Sequence, residues 1–177
     1  MKRISAAVRN KARKIKLLLV DVDGVLTDGR IIFDSRGTET KEFDVRDGLG
    51  IVLLKRSGIE VGFVTSRSSA IVSQRARELG VALVRQGVAT KLDAYREIKA
   101  ASGLRDAEIA CAGDDLMDLG ILRRCGLAIA VADASGEVLK AADYVTRAGG
   151  GRGAVREIAE LLLKAQGKWR QVVASYL

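Results

Sequence analysis

The 177 residues contain no histidine. Without imidazole there is no Ser-His-Asp triad, no histidine-based phosphatase chemistry and no zinc site that needs a nitrogen ligand, so proton transfer near neutral pH falls to carboxylates, Lys, Tyr or Cys. Cysteine is scarce. Cys111 and Cys125 lack metal-ligand spacing, and neither is followed six residues later by the Arg that a cysteine-dependent phosphatase would use. Both read as buried, reduced thiols of a cytoplasmic protein. No apolar run is long enough to span a membrane and no stretch looks like a signal peptide. Acids are under-represented: the net charge is +8, and Lys2, Arg3, Arg9, Lys11, Arg13, Lys14 and Lys16 all precede the first acid, Asp21. The rest of the chain is nearly neutral. This basic start lacks the interleaved aromatics of a nucleic-acid arm and the long apolar face of a membrane-surface helix. It is Arg-rich like a transit peptide, yet it runs straight into an apolar segment with no cleavable linker. A solvated basic helix within residues 1–15, over Ser5 to Lys14, with no nucleic-acid or membrane partner, is the expectation.

What is present centres on residues 16–28, KLLLVDVDGVLTD. Leu17 to Val20 form an unbroken apolar run, typical of a strand buried on both faces of a parallel sheet. Asp21 and Asp23 follow at a spacing of two, so both carboxylates project to one side if strand geometry persists, with Val22 on the other. Gly24 then releases the backbone. Turn statistics alone can place Asp and Gly at a strand end. Two acids crowded there also suit a hard metal ion that offsets their repulsion.

Along the chain, strands and helices of about ten residues alternate. Residues 29–43 read as a hairpin, with Ile31 to Phe33 and Thr38 to Phe43 as strands about the turn Asp34-Ser35-Arg36-Gly37; too small for a core of its own, it is a flap. Asp47 N-caps a helix to Gly58, Glu60 to Val64 is a buried strand, and Ser68 or Ser69 opens a helix to Leu79. Val81 to Val84 is a strand and Thr90 to Ala100 a helix. Glu108 to Ala112 is a strand followed by a helix to about Arg124. Leu127 to Val131, a helix from Ser135 to Ala141, the short strand Tyr144-Val145 and a helix from Ala154 to Lys164 complete the pattern, leaving 166–177 as a tail. One domain over 1–177 is expected, an α/β Rossmann-like parallel sheet with helices on both faces, a small β-hairpin flap and no cap domain.

In such sheets function collects beyond the carboxyl ends of the strands. Asp21 and Asp23 follow the first strand, Thr65 and Ser66 the second, Gly113 to Asp118 the EIACA strand, and Lys91 opens the helix between the latter two. Each alone has an ordinary structural reading. Together, in this order, they resemble the four-part signature of the haloacid dehalogenase superfamily of phosphotransferases. That resemblance implies Asp21 as nucleophile, Asp23 as general acid and base, Thr65 as a hydroxyl donor to the transferring phosphoryl group and Lys91 as its neutralising cation. It implies Mg2+ held by the Asp21 and Asp114 carboxylates and the Asp23 carbonyl, with Asp115 and Asp118 behind them. A response-regulator receiver also combines an acid pair, a Thr and a Lys, but its first-strand acids are adjacent and its phosphorylated Asp lies on a third strand, where VALVRQG offers none.

Further strings, 43–51 FDVRDGLGI, 113–118 GDDLMD, 131–134 VADA, 142–146 ADYVT and 150–157 GGRGAVRE, narrow the resemblance to the family of phosphatases acting on 3-deoxy-D-manno-octulosonate 8-phosphate in lipopolysaccharide sugar synthesis. The implied substrate contacts are Asp23, Asp44, Val45, Arg46, Asp47, Gly48, Ser66, Arg67, Arg75 and Lys91. Guanidinium groups suit a ligand bearing both carboxylate and phosphate. The family's Thr-Gly-Arg is Thr65-Ser66-Arg67 here, and its loop Asn is Asp44. Alternatives are a phosphatase for a nine-carbon sialic-type 9-phosphate, or a non-catalytic sugar-phosphate-binding module. Residues 149–153, GGGRG, suit a flexible approach to the active site better than a dinucleotide fingerprint. The flap's Ile31, Ile32 and Phe33 cannot all be buried within one subunit, and the resemblance implies a homotetramer in which neighbouring flaps close on one another, with Trp169 or Tyr176 of the tail available to help.

Overall fold

In a computed structural model that describes residues 4–177, six parallel strands form one sheet in the order β5-β4-β1-β6-β7-β8. They are β1 (Leu17–Val20), β4 (Glu60–Val64), β5 (Leu83–Arg85), β6 (Ile109–Gly113), β7 (Leu127–Ala130) and β8 (Tyr144–Val145); β2 (Ile32–Phe33) and β3 (Glu39–Thr40) pair antiparallel outside it. β1 sits centrally and is buried throughout, which is why its side chains show no polar alternation. The chain winds from β1 out to β5, then crosses over and winds through β6 to β8. The reversal leaves a crevice between the carboxyl ends of β1 and β6, the place where open α/β sheets bind ligands.

The helices are α1 (Ala6–Ala12), α2 (Val45–Arg56), α3 (Ala70–Glu78), α4 (Lys91–Ser102), α5 (Leu119–Leu122), α6 (Gly136–Ala141), α7 (Ala154–Ala165) and α8 (Trp169–Ala174). α1, α2 and α7 pack together, and α4, α5 and α6 form a second group, as right-handed crossovers in the two winding directions require. Together with the strands these helices share one apolar core. Among the described residues no helix is long and apolar enough to cross a membrane.

Several local expectations shift. α2 begins before Asp47, because Asp44 is its N-cap and accepts from the Arg46 amide at 2.7 Å. Asp47 is instead buried within the helix, accepting from the amides of Gly153 (3.2 Å) and Arg156 (2.7 Å) and tying α2 to the start of α7. The strand expected at Val81 starts at Leu83, and the flap strands shorten to two residues each. After β6 a 3-10 turn, Leu116–Asp118, precedes the single turn of α5. Within the tail, α8 lies on α7, with the Arg156 guanidinium 5.5 Å and the Lys164 ammonium 5.1 Å from the Trp169 ring. Cys111 is buried in β6, whereas Cys125 is only half-buried; both thiols are free. α1 is not merely solvated, since Val8 and Ala12 join the core and Lys11 pairs with Asp143 at 2.6 Å. Lys2 and Arg3 lie outside the described residues.

Candidate active site

The crevice forms a cleft of about 270 Å3. The turn after β1 supplies Asp21 and Asp23 to it, the loop after β4 supplies Thr65, Ser66 and Arg67, the start of α4 supplies Lys91, and the loop and 3-10 turn after β6 supply Asp114, Asp115 and Asp118. Residues up to 97 positions apart in sequence therefore meet because three strands end on one level. A larger cavity, about 450 Å3, opens among Arg13, Lys14, Lys16, Arg105 and Lys168 near the start of β1. It contains none of these groups, so chemistry rather than volume selects the site.

Lys91 is the electrostatic centre. Its ammonium lies 2.7 Å from Asp21 Oδ1 and 2.6 Å from Asp118 Oδ1, with its side chain 3% exposed. Burial pulls its pKa down, but the charges of Asp21 and Asp118 outweigh that and the net direction is upward. Thr90 N-caps α4 by accepting from the Asp93 amide at 3.2 Å, which fixes where Lys91 leaves the helix. Asp118 also accepts from the amides of Asp114 (3.0 Å) and Asp115 (3.3 Å), so it anchors both Lys91 and the acidic loop. Burial pushes Asp21 up to about 6 against the opposing pull of Lys91. Asp114 is pushed up to about 8, by burial first and then by the Asp21 charge.

Carboxylate oxygens of Asp21, Asp114 and Asp118 lie within 4.8 Å of one another. An all-oxygen set of few acids, open to solvent on one side, is the donor chemistry of Mg2+. Gly24 makes the cluster possible. Its φ is +101°, and a Cβ there would run into the Asp114 carboxylate. The glycine stretch at 149–153 supports the same loop from behind: Gly151 N donates to Val25 O at 3.0 Å, Gly150 N to Asp133 Oδ1 at 2.9 Å, and a Cβ on Gly150 would strike the Gly24 carbonyl. These glycines serve close backbone packing, not the flexible approach expected for them.

Thr65 is buried, and its Oγ1 accepts from the Arg67 amide at 3.2 Å, leaving the hydroxyl proton free to donate. Ser66 Oγ is buried without any hydrogen-bond partner, an unmet donor in the cleft wall. Asp115 is exposed and caps the 3-10 turn through the Leu116 amide at 2.8 Å.

The other expected substrate contacts do not line this cleft. Arg46 is paired with Asp44 at 2.6 Å and donates to Arg152 O at 3.1 Å; that hydrogen bonding holds the Asp44 carboxyl below its ordinary range. Burial raises Asp47. Val45 is exposed, Gly48 lies against the Arg75 guanidinium, and Arg75 sits 5.6 Å from the Phe43 ring and 3.2 Å from Glu78. They form a neighbouring surface at the start of α2 and along α3. The tail's own helix lies near the far end of α2, where Lys168 Nζ donates to Ser57 O at 2.8 Å.

Sequence reading passed over three residues. On the flap, the Lys41 ammonium forms an ion pair with Asp23 and lies 3.4 Å from Glu39, which accepts from Arg67 at 3.2 Å and from Ser69 Oγ at 2.6 Å. The Ser69 bond, with help from Arg67, holds Glu39 below its ordinary range. The period-two spacing of Glu39 and Lys41 was the available signal, since in extended chain it turns both to the same side as the backbone leaves β3.

The haloacid dehalogenase-like hydrolase family matches residues 81–157. Across 165 residues the chain is 46% identical to the 3-deoxy-D-manno-octulosonate 8-phosphate phosphatase KdsC of Escherichia coli K12, covering 93% of this chain and 88% of that one. Among solved structures, the corresponding phosphatase of Moraxella catarrhalis, in complex with magnesium, phosphate and KDO, superposes with a TM-score of 0.94 at 45% identity, covering 96% of this chain and 98% of that one. The Yersinia pestis phosphatase superposes with a TM-score of 0.92 at 44% identity, over 93% and 89% of the two chains.

Proposed function

As the chain belongs to the haloacid dehalogenase-like hydrolases, in the family of 3-deoxy-D-manno-octulosonate 8-phosphate phosphatases, we propose that it hydrolyses the phosphomonoester of that sugar acid to the free sugar acid and phosphate, in lipopolysaccharide synthesis. The observation that carries the reading is the juxtaposition of Asp21, Lys91, Asp114 and Asp118 beside Thr65 in one cleft.

Asp21 is the nucleophile. Its carboxylate attacks phosphorus in line as the bond to the sugar oxygen breaks, giving an aspartyl phosphate. Asp23, protonated, gives its proton to the departing sugar alcohol, and as carboxylate it takes a proton from the water that hydrolyses the intermediate. Lys91 and the Thr65 hydroxyl meet the phosphoryl oxygens, with the unpaired Ser66 hydroxyl beside them. Mg2+, held by Asp21, Asp114 and the Asp23 carbonyl, supplies positive charge on the phosphoryl oxygens when bound. Asp118 and Asp115 shape the loop behind it. Arg67, at the cleft mouth, suits the substrate carboxylate. Asp44 to Gly48 and Arg75 form an outer surface that meets the sugar when the assembly is complete.

Assembly as a homotetramer is supported by the flap: Ile31, Ile32 and Phe33 are exposed, Phe33 by 56%, on a two-stranded element that has free edges. Two free thiols favour the cytoplasm. Phosphate release from 3-deoxy-D-manno-octulosonate 8-phosphate, with and without magnesium, tests the function, with a nine-carbon sialic-type 9-phosphate as competitor. Release that depends on magnesium and prefers the octulosonate is the expected outcome. Binding without release would mark a sugar-phosphate-binding module, and preference for the nine-carbon substrate would overturn the named one.

A further inference from the structure

Between the flap and the cleft runs a closed ring of alternating charge. Asp23 Oδ1 pairs with Lys41, Lys41 Nζ is 3.4 Å from Glu39 Oε1, Glu39 Oε1 is 3.2 Å from Arg67 Nη2, and Arg67 Nε is 3.8 Å from Asp23 Oδ2. Ser69 Oγ closes the outer side on Glu39 Oε2 at 2.6 Å. The Lys41 side chain is 1% exposed. A buried ammonium persists only where acceptors and a counter-charge face it, and here Glu39 carries the charge while the carboxyl group that transfers the proton accepts through Oδ1 whether or not Oδ2 is protonated.

The two oxygens of Asp23 are consequently unequal. Oδ1 is hydrogen-bonded by Lys41, whereas Arg67 Nε stands 3.8 Å from Oδ2, beyond hydrogen-bond reach. We propose that Lys41 is a positioning residue for proton transfer: by holding Oδ1 it fixes the Asp23 carboxyl so that Oδ2 is the atom that faces the leaving oxygen. In the first step the proton on Oδ2 passes to the bridging oxygen as the phosphorus–oxygen bond breaks and the Asp21–phosphorus bond forms, leaving Asp23 as carboxylate. The inference rests on the phosphatase reading above. It places on the flap a duty besides covering the site, because the residue that follows β3 delivers the group that aims the acid.

A purely mechanical clasp would use the same ring, and leaving-group dependence separates the two. A sugar alkoxide needs its proton to depart; p-nitrophenolate does not. The ratio kcat/KM reports steps through the first phosphoryl transfer, so only the sugar phosphate should sense a misaimed Asp23. With magnesium present, Lys41→Met is expected to lower kcat/KM on the order of 10²-fold for the sugar acid phosphate and under about threefold for p-nitrophenyl phosphate. Lys41→Arg should recover most of the loss. Equal losses on the two substrates, or no loss on the sugar phosphate, would overturn the proposal. If the methionine variant does not fold, Lys41→Gln is read the same way; if neither folds while Lys41→Arg does, the residue is a clasp alone and the proposal falls. Should the wild type spare the octulosonate phosphate but cleave another sugar phosphate, only the substrate reading fails, and the same comparison is made with that alkyl phosphate.

Discussion

Replacing Lys91 by Met removes the cation around which the cleft is balanced. The substitution keeps the length and apolar stem of the side chain, so packing changes little and the perturbation is chiefly electrostatic. Two carboxylates, Asp21 at 2.7 Å and Asp118 at 2.6 Å, lose their buried partner. Stripping one member from a buried ion pair costs about 3–5 kcal/mol, and two orphaned acids argue for the upper end. Protonation offers relief, since Asp21 is already raised to about 6 and Asp114 to about 8, so at pH 7 the cluster sheds part of its charge. About 3 kcal/mol is therefore the working figure for the metal-free protein near neutrality. For a chain of this size that corresponds to a fall in Tm of roughly 6–12 °C. The penalty should shrink at pH 5, where Asp21 and Asp114 take up protons, and shrink again with saturating Mg2+, which restores positive charge. Thermal unfolding of wild type and variant at pH 5 and pH 8, each with and without magnesium, reads all of this. A metal-free variant within 2 °C of the wild type at pH 8 (about 1 kcal/mol or less), or a larger penalty at pH 5, would refute the assignment of Lys91 as the charge balancing these acids.

Three further outcomes follow from the same geometry. Wild-type protein without metal should lose stability as pH rises from about 4 toward 8, because Asp21 and Asp114 stay protonated in the fold after the unfolded chain has ionised; magnesium should raise Tm more at pH 8 than at pH 5, and a metal-free Tm that climbs over this range would contradict the raised pKa values. Asp21→Asn should abolish phosphate release and leave no phosphorylated enzyme by intact mass, while Asp23→Asn should slow sugar phosphate turnover by about 10²–10⁴-fold yet still form the phosphoenzyme from an activated aryl phosphate; normal turnover in Asp21→Asn would displace the nucleophile. Replacing Ile31 and Phe33 by Glu should dissociate the assembly in light scattering and depress activity, and a fully active monomer would remove the case for a tetramer.

Much of this was legible in the chain because local rules sufficed. An apolar tetrapeptide ending in Asp-Val-Asp-Gly has few physical readings, and Leu17 to Val20 is indeed the central buried strand. Alternating strands and helices gave the parallel sheet, and strand ends gave the level at which Thr65, Lys91 and Asp114 would meet. The errors occurred where two signals competed. Asp44 and Asp47 are both plausible N-caps, and only the partner amides on α7 reveal that the second is occupied elsewhere. Residues 166–177 carry little periodicity, so α8 depends on Trp169 finding the cations of α7.

The sequence by itself determined the fold class and the candidate acids at the end of the first strand, since burial periodicity and the spacing of Asp21 and Asp23 are written in nearest neighbours. Tertiary structure alone decided how those groups are used. Lys41 looks like any flap lysine until the hairpin folds back on Asp23, and nothing in the string places Arg75 outside the cleft, against Phe43 and Glu78. Gly150 reads in the string as part of a flexible approach to the active site, yet in space it makes room for the carbonyl of Gly24. The physical reason is common to all three: charge pairing and close packing act over a few ångströms between residues far apart in sequence, and only the folded backbone fixes which of them meet.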